Sequence, residues 1–269
     1  MTKARTFTLL VLTLLLAAIL SSRALAQGRG TLPPQGPPPT PRQFAPVDVT
    51  GYWVAIISED WRWRMITPAK GDFPSIPLNL KAQLIAEAWD PAKDEAAGEQ
   101  CRAYGAPGLM RGPTRLHITW QDDATLKVES DYGMQTRLIR FTTLPPPAPP
   151  PSATPTWQGV TTAQWASTPA AVTPPSGQPR AETRHGWFKS VTTRLRPGYL
   201  RKNGVPYSAS TVFTEYWDVQ THSNGDQYLV DTNIVDDPVY LQEPMLTALH
   251  FKKERDGGKW DPTPCDARF

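Results

Sequence analysis

Short segments of alternating apolar and polar residues dominate the chain from Arg115 onward, and they restrict the possible folds more than any other feature. Alternation of this kind is the side-chain period of a half-buried strand. Turn-forming pairs separate the segments, among them Asp122-Asp123, Tyr132-Gly133 and Asn224-Gly225. About eight to ten strands with mostly hairpin-length connections predict a mainly β fold, an antiparallel barrel or sandwich. The predicted strands after Arg115 cover 116–120, 126–129, 134–141, 157–165, 186–195, 211–219, 227–235 and 245–253.

Residues 50–65, TGYWVAIISEDWRWRM, are predicted to begin the folded domain as a further strand. The end of this segment alternates two tryptophans with two arginines. Aromatic side chains beside arginines suit the wall of a binding pocket, because a guanidinium can meet the polar end of a partly apolar ligand. The predicted ligand-binding residues are Trp61, Arg62, Trp63, Arg64, Trp157 and His250.

One short helix is predicted after a proline-rich loop. Asn79 can cap its first turn, and Pro91 ends it. The apolar residues between them repeat at helical spacing, which is typical of an amphipathic helix: Leu80, Leu84, Ile85 and Ala88. Residues 90–108 are predicted to form an irregular acidic loop with one helical turn near 92–98.

The first 26 residues have the pattern of a signal peptide. Lys3 and Arg5 precede an uncharged apolar run over 7–20, and Ala24-Leu25-Ala26 satisfies the small-residue rule for cleavage. A membrane span needs about 20 apolar residues. The apolar run is shorter than that and is removed with the signal peptide, so no span is expected after cleavage. The sequence predicts a periplasmic or secreted protein in which 27–47 form a proline-rich disordered leader.

Cleavage also changes the charge balance. The whole chain carries 28 basic and 25 acidic residues, and three of the basic ones lie within the first 26 residues. The mature chain is therefore balanced, and nucleic-acid binding, which needs a basic surface, is not expected. The sequence does not indicate an oligomeric state.

Cys101 and Cys265 are the two cysteines of the chain. In an oxidising compartment an even number favours one disulfide, and two free thiols are the alternative. A bond across so much sequence disfavours two independent domains, so 48–269 are predicted to form a single domain. Proline-rich insertions near 144–155 and 166–185 are expected at its surface.

The start of the first predicted strand, Gly51-Tyr52-Trp53, resembles the G-x-W motif of lipocalins. The resemblance implies a calycin-like barrel and a disulfide from the C-terminal tail back to an earlier part of that barrel. It also implies a basic residue of the last strand packed over Trp53, for which Lys252 and Lys253 are the candidates.

A broader resemblance covers most of the mature chain. The segments CRAYGAPGLM, PTWQGVTTAQW, GVPYSASTVFTEYWD and VDDPVYLQEP are similar to ordered landmarks of a large set of uncharacterised exported bacterial proteins. Those landmarks read Cys-x(n)-Pro-x-x-Met, Pro-Thr-Trp-x-Gly, Gly-x-Pro-His/Tyr-Ser, Thr-Glu-x-aromatic and Asp-Pro-x-x-Tyr. The resemblance implies an exported β-rich fold and no particular mechanism. Tyr207 stands where histidine is frequent in that set, which argues against a catalytic histidine there.

Candidates for acid–base catalysis are few: Glu59, Asp60, His117 and His250. No HExxH or related spacing joins the histidines, so no metal site is predicted. The sequence has no serine elbow and no phosphate-binding glycine loop, and no cofactor is predicted. Both histidines fit positions on a barrel wall, where either could act as a lone general base. The two carboxylates stand beside two arginines, and a structural salt-bridge network explains them better than catalysis does.

The chain contains ten tryptophans, and most are expected in the core because strands favour aromatic residues. Trp61 and Trp63, beside the arginines, are the exceptions. The first hypothesis is therefore an exported protein that binds a small, partly apolar ligand in a pocket lined by aromatic residues and arginine. One alternative is an extracytoplasmic lyase, isomerase or hydrolase that uses Glu59 or Asp60 with a histidine. Another is a structural or assembly protein of the cell envelope.

Overall fold

The computed structural model of the chain describes residues 39–142, 154–167 and 186–268. The predicted signal peptide, residues 27–38 of the leader, most of the two insertions and His185 lie outside these ranges. All the described residues except Pro39 belong to one compact unit, Thr40–Phe269. Within the described ranges, no helix is long and apolar enough to cross a membrane.

The described residues form short helices and longer strands. The helices are α1 (Pro41–Phe44), α2 (Trp61–Arg64), α3 (Leu80–Glu87), α4 (Pro91–Ala96) and α5 (Ala106–Leu109), with a 3-10 helix at Gln100–Tyr104. The strands are β1 (Gly51–Ile56), β2 (Arg115–Trp120), β3 (Thr125–Ser130), β4 (Gln135–Phe141), β5 (Val160–Ser167), β6 (Gly186–Thr193), β7 (Gly198–Arg201), β8 (Val205–Tyr207), β9 (Val212–Thr221), β10 (Gln227–Asp236) and β11 (Met245–Glu254). Each strand predicted after Arg115 overlaps one of these, and the β7–β8 hairpin occupies a region where only turns are predicted.

Nine strands close into a barrel in the order β1-β11-β10-β9-β6-β5-β4-β3-β2, with β1 paired to β2. The predicted mainly β fold is thus confirmed, as a barrel and not a sandwich. An odd number of strands cannot alternate direction all the way round a closed sheet. One neighbouring pair must be parallel, and that pair is β4 and β5. The barrel is therefore antiparallel except at this pair.

The opening strand is shorter than predicted. β1 ends at Ile56, and the residues predicted to continue it by alternation form the helical turn α2 instead. Asp60, immediately before α2, has a positive φ of 54°, a left-handed conformation that ends the extended chain. The prediction that tryptophan and arginine alternate along a strand over 61–64 is therefore wrong.

The predicted helix is confirmed as α3, and the Asn79 side chain caps it by accepting from the Ala82 N–H at 3.0 Å. Its orientation differs from the one that its apolar spacing suggests. Leu80 and Leu84 are 69% and 58% exposed, whereas Ala82 and Ala86 are fully buried. The small residues face the core because α3 lies close against β8.

Residues 40–49, here called the strap, lie across the end of the barrel at which β1 begins. Val47 and Val49 pack on the apolar cluster inside that end. Trp165 Nε1 donates to the Pro41 carbonyl at 2.9 Å, and a capping box between Thr40 and Gln43 begins α1. The composition assigns most of the strap to the disordered leader, whereas these contacts order it against the barrel. The end of the barrel that the strap crosses is here called the strap end.

The opposite end of the barrel, here called the helical end, is covered by α3, α5 and the β7–β8 hairpin. Their apolar residues form a second cluster with inward residues of β9, β10 and β11. The barrel interior thus has an apolar layer at each end.

Candidate functional site

A layer of polar side chains lies inside the barrel between the two apolar clusters. On β9, Glu215 falls between Phe213 of the helical-end cluster and Trp217 of the strap-end cluster. Residues two apart on a strand face the same side, so all three point inward. The same reasoning places inward-facing polar side chains of this layer on β4, β5, β6, β10 and β11. The polar layer comprises Arg137, Thr161, Ser190, Thr192, Glu215, Asp231, Asn233 and Thr247.

Arg137 and Glu215 form a bidentate ion pair across the lumen. Arg137 Nη1 donates to Glu215 Oε1 at 2.8 Å, and Nη2 donates to Oε2 at 2.6 Å. Ser190 Oγ donates a third bond to the same carboxylate at 3.0 Å. Both side chains of the pair are at most 1% exposed. The positive charge of Arg137 is therefore already neutralised inside the barrel.

Asp231 is the second carboxyl group of the layer, and it is fully buried. Asn233 Nδ2 donates to its Oδ2 at 3.2 Å, and Thr247 Oγ1 donates to Asn233 Oδ1 at 2.5 Å. Burial, and then the negative charge of Glu215, raise the pKa of the Asp231 carboxyl well above its usual range. Its protonated form is consequently favoured relative to an exposed aspartate.

Three buried polar atoms of this region have no hydrogen-bond partner among the described residues: Asp231 Oδ1, Trp217 Nε1 and Arg137 Nε. Asp231 and Trp217 are direct cross-strand partners in the β9–β10 pairing. Buried polar groups nearly always have partners, and leaving one without costs about 1–3 kcal/mol. All three atoms are out of reach of solvent, so they are unsatisfied polar groups of a closely packed interior.

An aromatic column connects this layer to the strap end. Trp217 stacks on Phe188 with ring centroids 5.4 Å apart. Phe188 in turn contacts Phe141 at 5.3 Å and Trp165 at 5.2 Å. Trp120 extends the column outward, 5.6 Å from Phe141. Apolar aromatic side chains therefore fill the interior between the strap end and the charged polar layer.

A cavity of about 580 Å³ lies where the strap crosses the barrel. The strap supplies most of its lining, and β2 supplies Thr119 and Trp120. Trp120 belongs both to this cavity and to the aromatic column. The cavity is thus adjacent to the outer end of the column.

The ligand-binding residues predicted from the sequence lie elsewhere. α2 holds Arg62 and Trp63 together, since both donate to Asp72 Oδ2 at 3.0 Å. Trp61 is 63% exposed. Arg64 is buried, donates to the Arg111 carbonyl at 2.8 Å and forms an ion pair with Glu59.

The two remaining predicted residues have surroundings of their own. Trp157 lies in a turn, with the Arg196 guanidinium 4.4 Å from its ring centroid. His250 lies on the outer face of β11, because Leu249 and Phe251 on either side of it point inward and are buried. The six predicted residues are therefore divided among α2, a turn and the outer barrel wall.

The predicted acid–base candidates form structural contacts. Glu59 forms an ion pair with the neighbouring Arg64, and Asp60 accepts from the distant Arg111 Nη2 at 3.0 Å. His117 lies on the outside of β2 and stacks on Tyr52 with ring centroids 4.2 Å apart. Among the described residues, no group of three or more His, Cys, Asp or Glu side chains is arranged to hold a metal ion.

A second group with a shifted pKa, Lys202, lies outside the polar layer. Lys202 Nζ donates to Tyr104 Oη at 3.0 Å and lies 5.1 Å from the ring centroid of Tyr132. Burial lowers the pKa of Lys202 to about 7. Tyr104 and Tyr132 pack in one small cluster with Cys265, so the lysine lies beside the disulfide. This disulfide, Cys101–Cys265, is present as predicted.

No family model matches the chain, and neither a curated protein nor a solved structure matches it. The fold and the layer define a closed nine-stranded barrel with a charged interior. Lys253 lies over Trp53, 5.2 Å from the ring centroid, in the position that the G-x-W resemblance implies for a basic residue of the last strand. Two landmarks of the broader resemblance meet in space, since Ser208 Oγ donates to Asp237 at 2.9 Å.

Sequence reasoning missed Arg137, Glu215 and Asp231. A signal for two of them was present, because Glu215 and Asp231 interrupt the apolar phase of their strands. Glu215 stands between Phe213 and Trp217, and Asp231 follows Leu229 at the same spacing. A charged residue at an inward position needs a partner inside the barrel.

Proposed function

We propose that this protein binds a small, partly apolar molecule beneath the strap, at the outer end of the aromatic column. The observation that carries the proposal is the cavity of about 580 Å³ where the strap crosses the barrel, which shares Trp120 with that column. Ligand sites are commonly apolar pockets with a few convergent polar groups. The cavity is lined by Trp120 and Arg42, an aromatic residue and an arginine at positions other than those of α2.

A ligand in this cavity touches Trp120, the outermost ring of the aromatic column. The strap is held there by contacts such as the Arg42 N–H donating to the Asp123 carbonyl at 3.0 Å. A local displacement of these contacts would widen the cavity.

The proposed setting is the periplasm or the exterior of the cell. The export pattern of the first 26 residues supports it. The Cys101–Cys265 disulfide is compatible with an oxidising compartment.

Thermal-shift and calorimetric titration of the chain without residues 1–26 against aromatic compounds, sterols and apolar acids tests the binding function. A ligand is expected to raise the melting temperature, and Trp120→Ala and Arg42→Ala are each expected to weaken its binding, because both side chains line the cavity. Trp187→Phe is the matched control, because Trp187 lies on the outer face of β6. Weakening by Arg62→Ala instead would move the site to α2, and no response across the panel would contradict the proposal.

A further inference from the structure

The cavity beneath the strap is lined by one positively and one negatively charged side chain, Arg42 and Asp48. Both residues are exposed, so a small molecule that enters from solvent can reach them. Neither forms an ion pair with a described residue at a nitrogen–oxygen distance of 4.0 Å or less. The two charges therefore do not neutralise each other. The cavity offers an uncompensated cation and an uncompensated carboxylate to the molecule that it binds.

The Asp48 carboxylate is held in place by a third residue of the cavity wall, Thr50. Asp48 Oδ1 accepts from the Thr50 N–H at 2.9 Å and from Thr50 Oγ1 at 2.7 Å. Both donors are neutral, so they orient the carboxylate and leave its negative charge uncompensated. An ammonium group of a ligand supplies the missing positive charge together with up to three N–H donors.

Arg42 belongs to α1, whose backbone is fixed against the barrel. The Arg42 N–H donates to the Asp123 carbonyl at 3.0 Å, and the capping box between Thr40 and Gln43 orders the same turn. A guanidinium is planar and presents paired N–H donors that match the two oxygens of a carboxylate. A carboxylate is therefore the ligand group that suits Arg42.

The rest of the cavity wall is mostly apolar. Ala45, Pro46 and Val47 of the strap line it together with Trp120 of β2. Trp120 is half-buried, and its ring centroid lies 5.6 Å from that of Phe141, so a ring bound against Trp120 extends the aromatic column. A volume of about 580 Å³ is within the range of small-molecule sites. This wall suits a ligand with an apolar body of about the size of an aromatic ring.

We propose that the cavity selects a zwitterion with an apolar, ring-sized body, as an aromatic α-amino acid is. Its carboxylate accepts from Arg42, its ammonium group donates to Asp48, and its ring packs against Trp120. A ligand with one charged group leaves the other charge of the cavity uncompensated, and an uncharged ligand leaves both. This inference rests on the proposed binding function and specifies its ligand class.

Four compounds that share a phenylethyl skeleton test the inference. Phenylalanine carries both charged groups, 3-phenylpropionate only the carboxylate, 2-phenylethylammonium only the ammonium group, and 2-phenylethanol neither. Calorimetric titration of the chain without residues 1–26 at pH 7.5 compares their affinities. Each charged contact of this exposed kind is expected to raise the affinity about two- to fivefold. Phenylalanine should bind most tightly and 2-phenylethanol most weakly, and the difference should shrink as salt is added.

Two variants that remove one charge each assign the contacts. Arg42→Gln should abolish the preference for phenylalanine over 2-phenylethylammonium, because the carboxylate loses its partner. Asp48→Asn should abolish the preference for phenylalanine over 3-phenylpropionate, while its amide oxygen can still accept from Thr50. Arg140→Gln is the matched control, because Arg140 is exposed on the outer face of β4 and does not line the cavity. It should leave all four affinities unchanged, and thermal melts establish that the three variants are folded.

Several results would overturn the inference. Tighter binding of 3-phenylpropionate or of 2-phenylethylammonium than of phenylalanine would contradict the ligand class and leave the binding function intact. Equal binding of all four compounds would show that the two charges do not contribute to selection. If none of the four binds while another compound of the wider panel does, the ligand class is wrong; if nothing binds at all, the binding function itself fails.

Discussion

At the scale of single residues, the Arg137–Glu215 pair determines how the barrel interior carries charge. Burial alone would lower the pKa of the Arg137 guanidinium, but Glu215 more than offsets this effect, so the pKa is raised. Glu215 thereby favours the charged form of Arg137. Burial of one of these two charges at this position requires the other, independent of any ligand.

Removing one member should be far more harmful than removing both. Glu215→Gln leaves Arg137 buried without a counter-charge, and the free energy of unfolding is expected to fall by about 3–5 kcal/mol. The double variant R137M/E215L replaces the pair with apolar side chains and should lose much less. Urea denaturation of the three proteins measures the difference. Equal losses in the single and double variants would mean that the pair contributes only by packing.

Asp231 makes the stability depend on pH in a specific direction. Burial and Glu215 raise its folded-state pKa above the unfolded value of about 3.9. The folded protein therefore holds this proton more tightly, and the stabilisation is complete below the unfolded pKa. It is lost as pH rises through the folded pKa.

The difference in unfolding free energy between the wild type and Asp231→Asn isolates this effect, because the amide does not titrate. The difference is expected to move against the wild type as pH rises from about 4 toward the raised pKa. Urea denaturation at several pH values measures it. Parallel stability curves for the two proteins would mean that Asp231 has the same pKa in the folded and unfolded states.

The limits of sequence reasoning are also clearest at single residues. The Cys101–Cys265 bond follows from the cysteine count and the export pattern, without knowledge of the fold. The polar layer does not, because Arg137 and Glu215 are 78 residues apart and no local spacing connects them. The pair arises because the curved sheet brings β4 within reach of β9, although β5 and β6 lie between them.

At the scale of elements, α3 illustrates how tertiary packing overrides an apolar pattern. Its leucines follow helical spacing, yet Ala82 and Ala86 form the buried face. Helices that approach a sheet closely use small residues at the contact, where a leucine would not fit.

A matched pair of substitutions tests the orientation of α3. Leu84→Gln should change the free energy of unfolding by no more than about 0.5 kcal/mol, since the side chain is exposed. Ala86→Leu should lower it by about 1–3 kcal/mol, because extra methylene groups must enter a filled space. Thermal and urea denaturation of both variants give the two values. The opposite ranking would mean that the leucine face is the one that packs on the core.

The helical turn α2 was missed for a related reason. Four residues that alternate in polarity fit a strand equally well, and the contacts that decide the matter come from distant parts of the chain. Arg111 pairs with Asp60, and Arg201 lies 5.2 Å from the Trp63 ring centroid. Neither residue could be associated with α2 from the sequence alone.

At the scale of the whole molecule, closure of the barrel could be predicted only as one of two options. Alternation identifies strands and their inward faces, so a barrel and a sandwich look alike in the sequence. Closure depends on β1 pairing with β11, for example Trp53 with Lys253, and on the parallel β4–β5 pair. These pairings join segments whose local patterns carry no information about their partners.

The strap is the part of the whole molecule that forms most of the lining of the proposed binding cavity. It covers rings that the barrel alone would leave at its open end, and Trp165 Nε1 is bonded to the Pro41 carbonyl. A chain that begins at Val47 retains the buried Val49 and its bond from Trp53 Nε1, at 2.9 Å, but loses the Pro41 acceptor. Removal of the preceding residues should therefore uncover Trp165 without disturbing Trp53.

Acrylamide quenching of tryptophan fluorescence measures this exposure. The shortened chain is expected to be quenched more strongly than the longer one, with emission shifted to longer wavelength, because Trp165 meets water. Trp165→Phe in both chain lengths is the control, and most of the difference should disappear in that background. If the shortened chain is quenched no more than the longer one, the strap does not shield Trp165 and the outer end of the column.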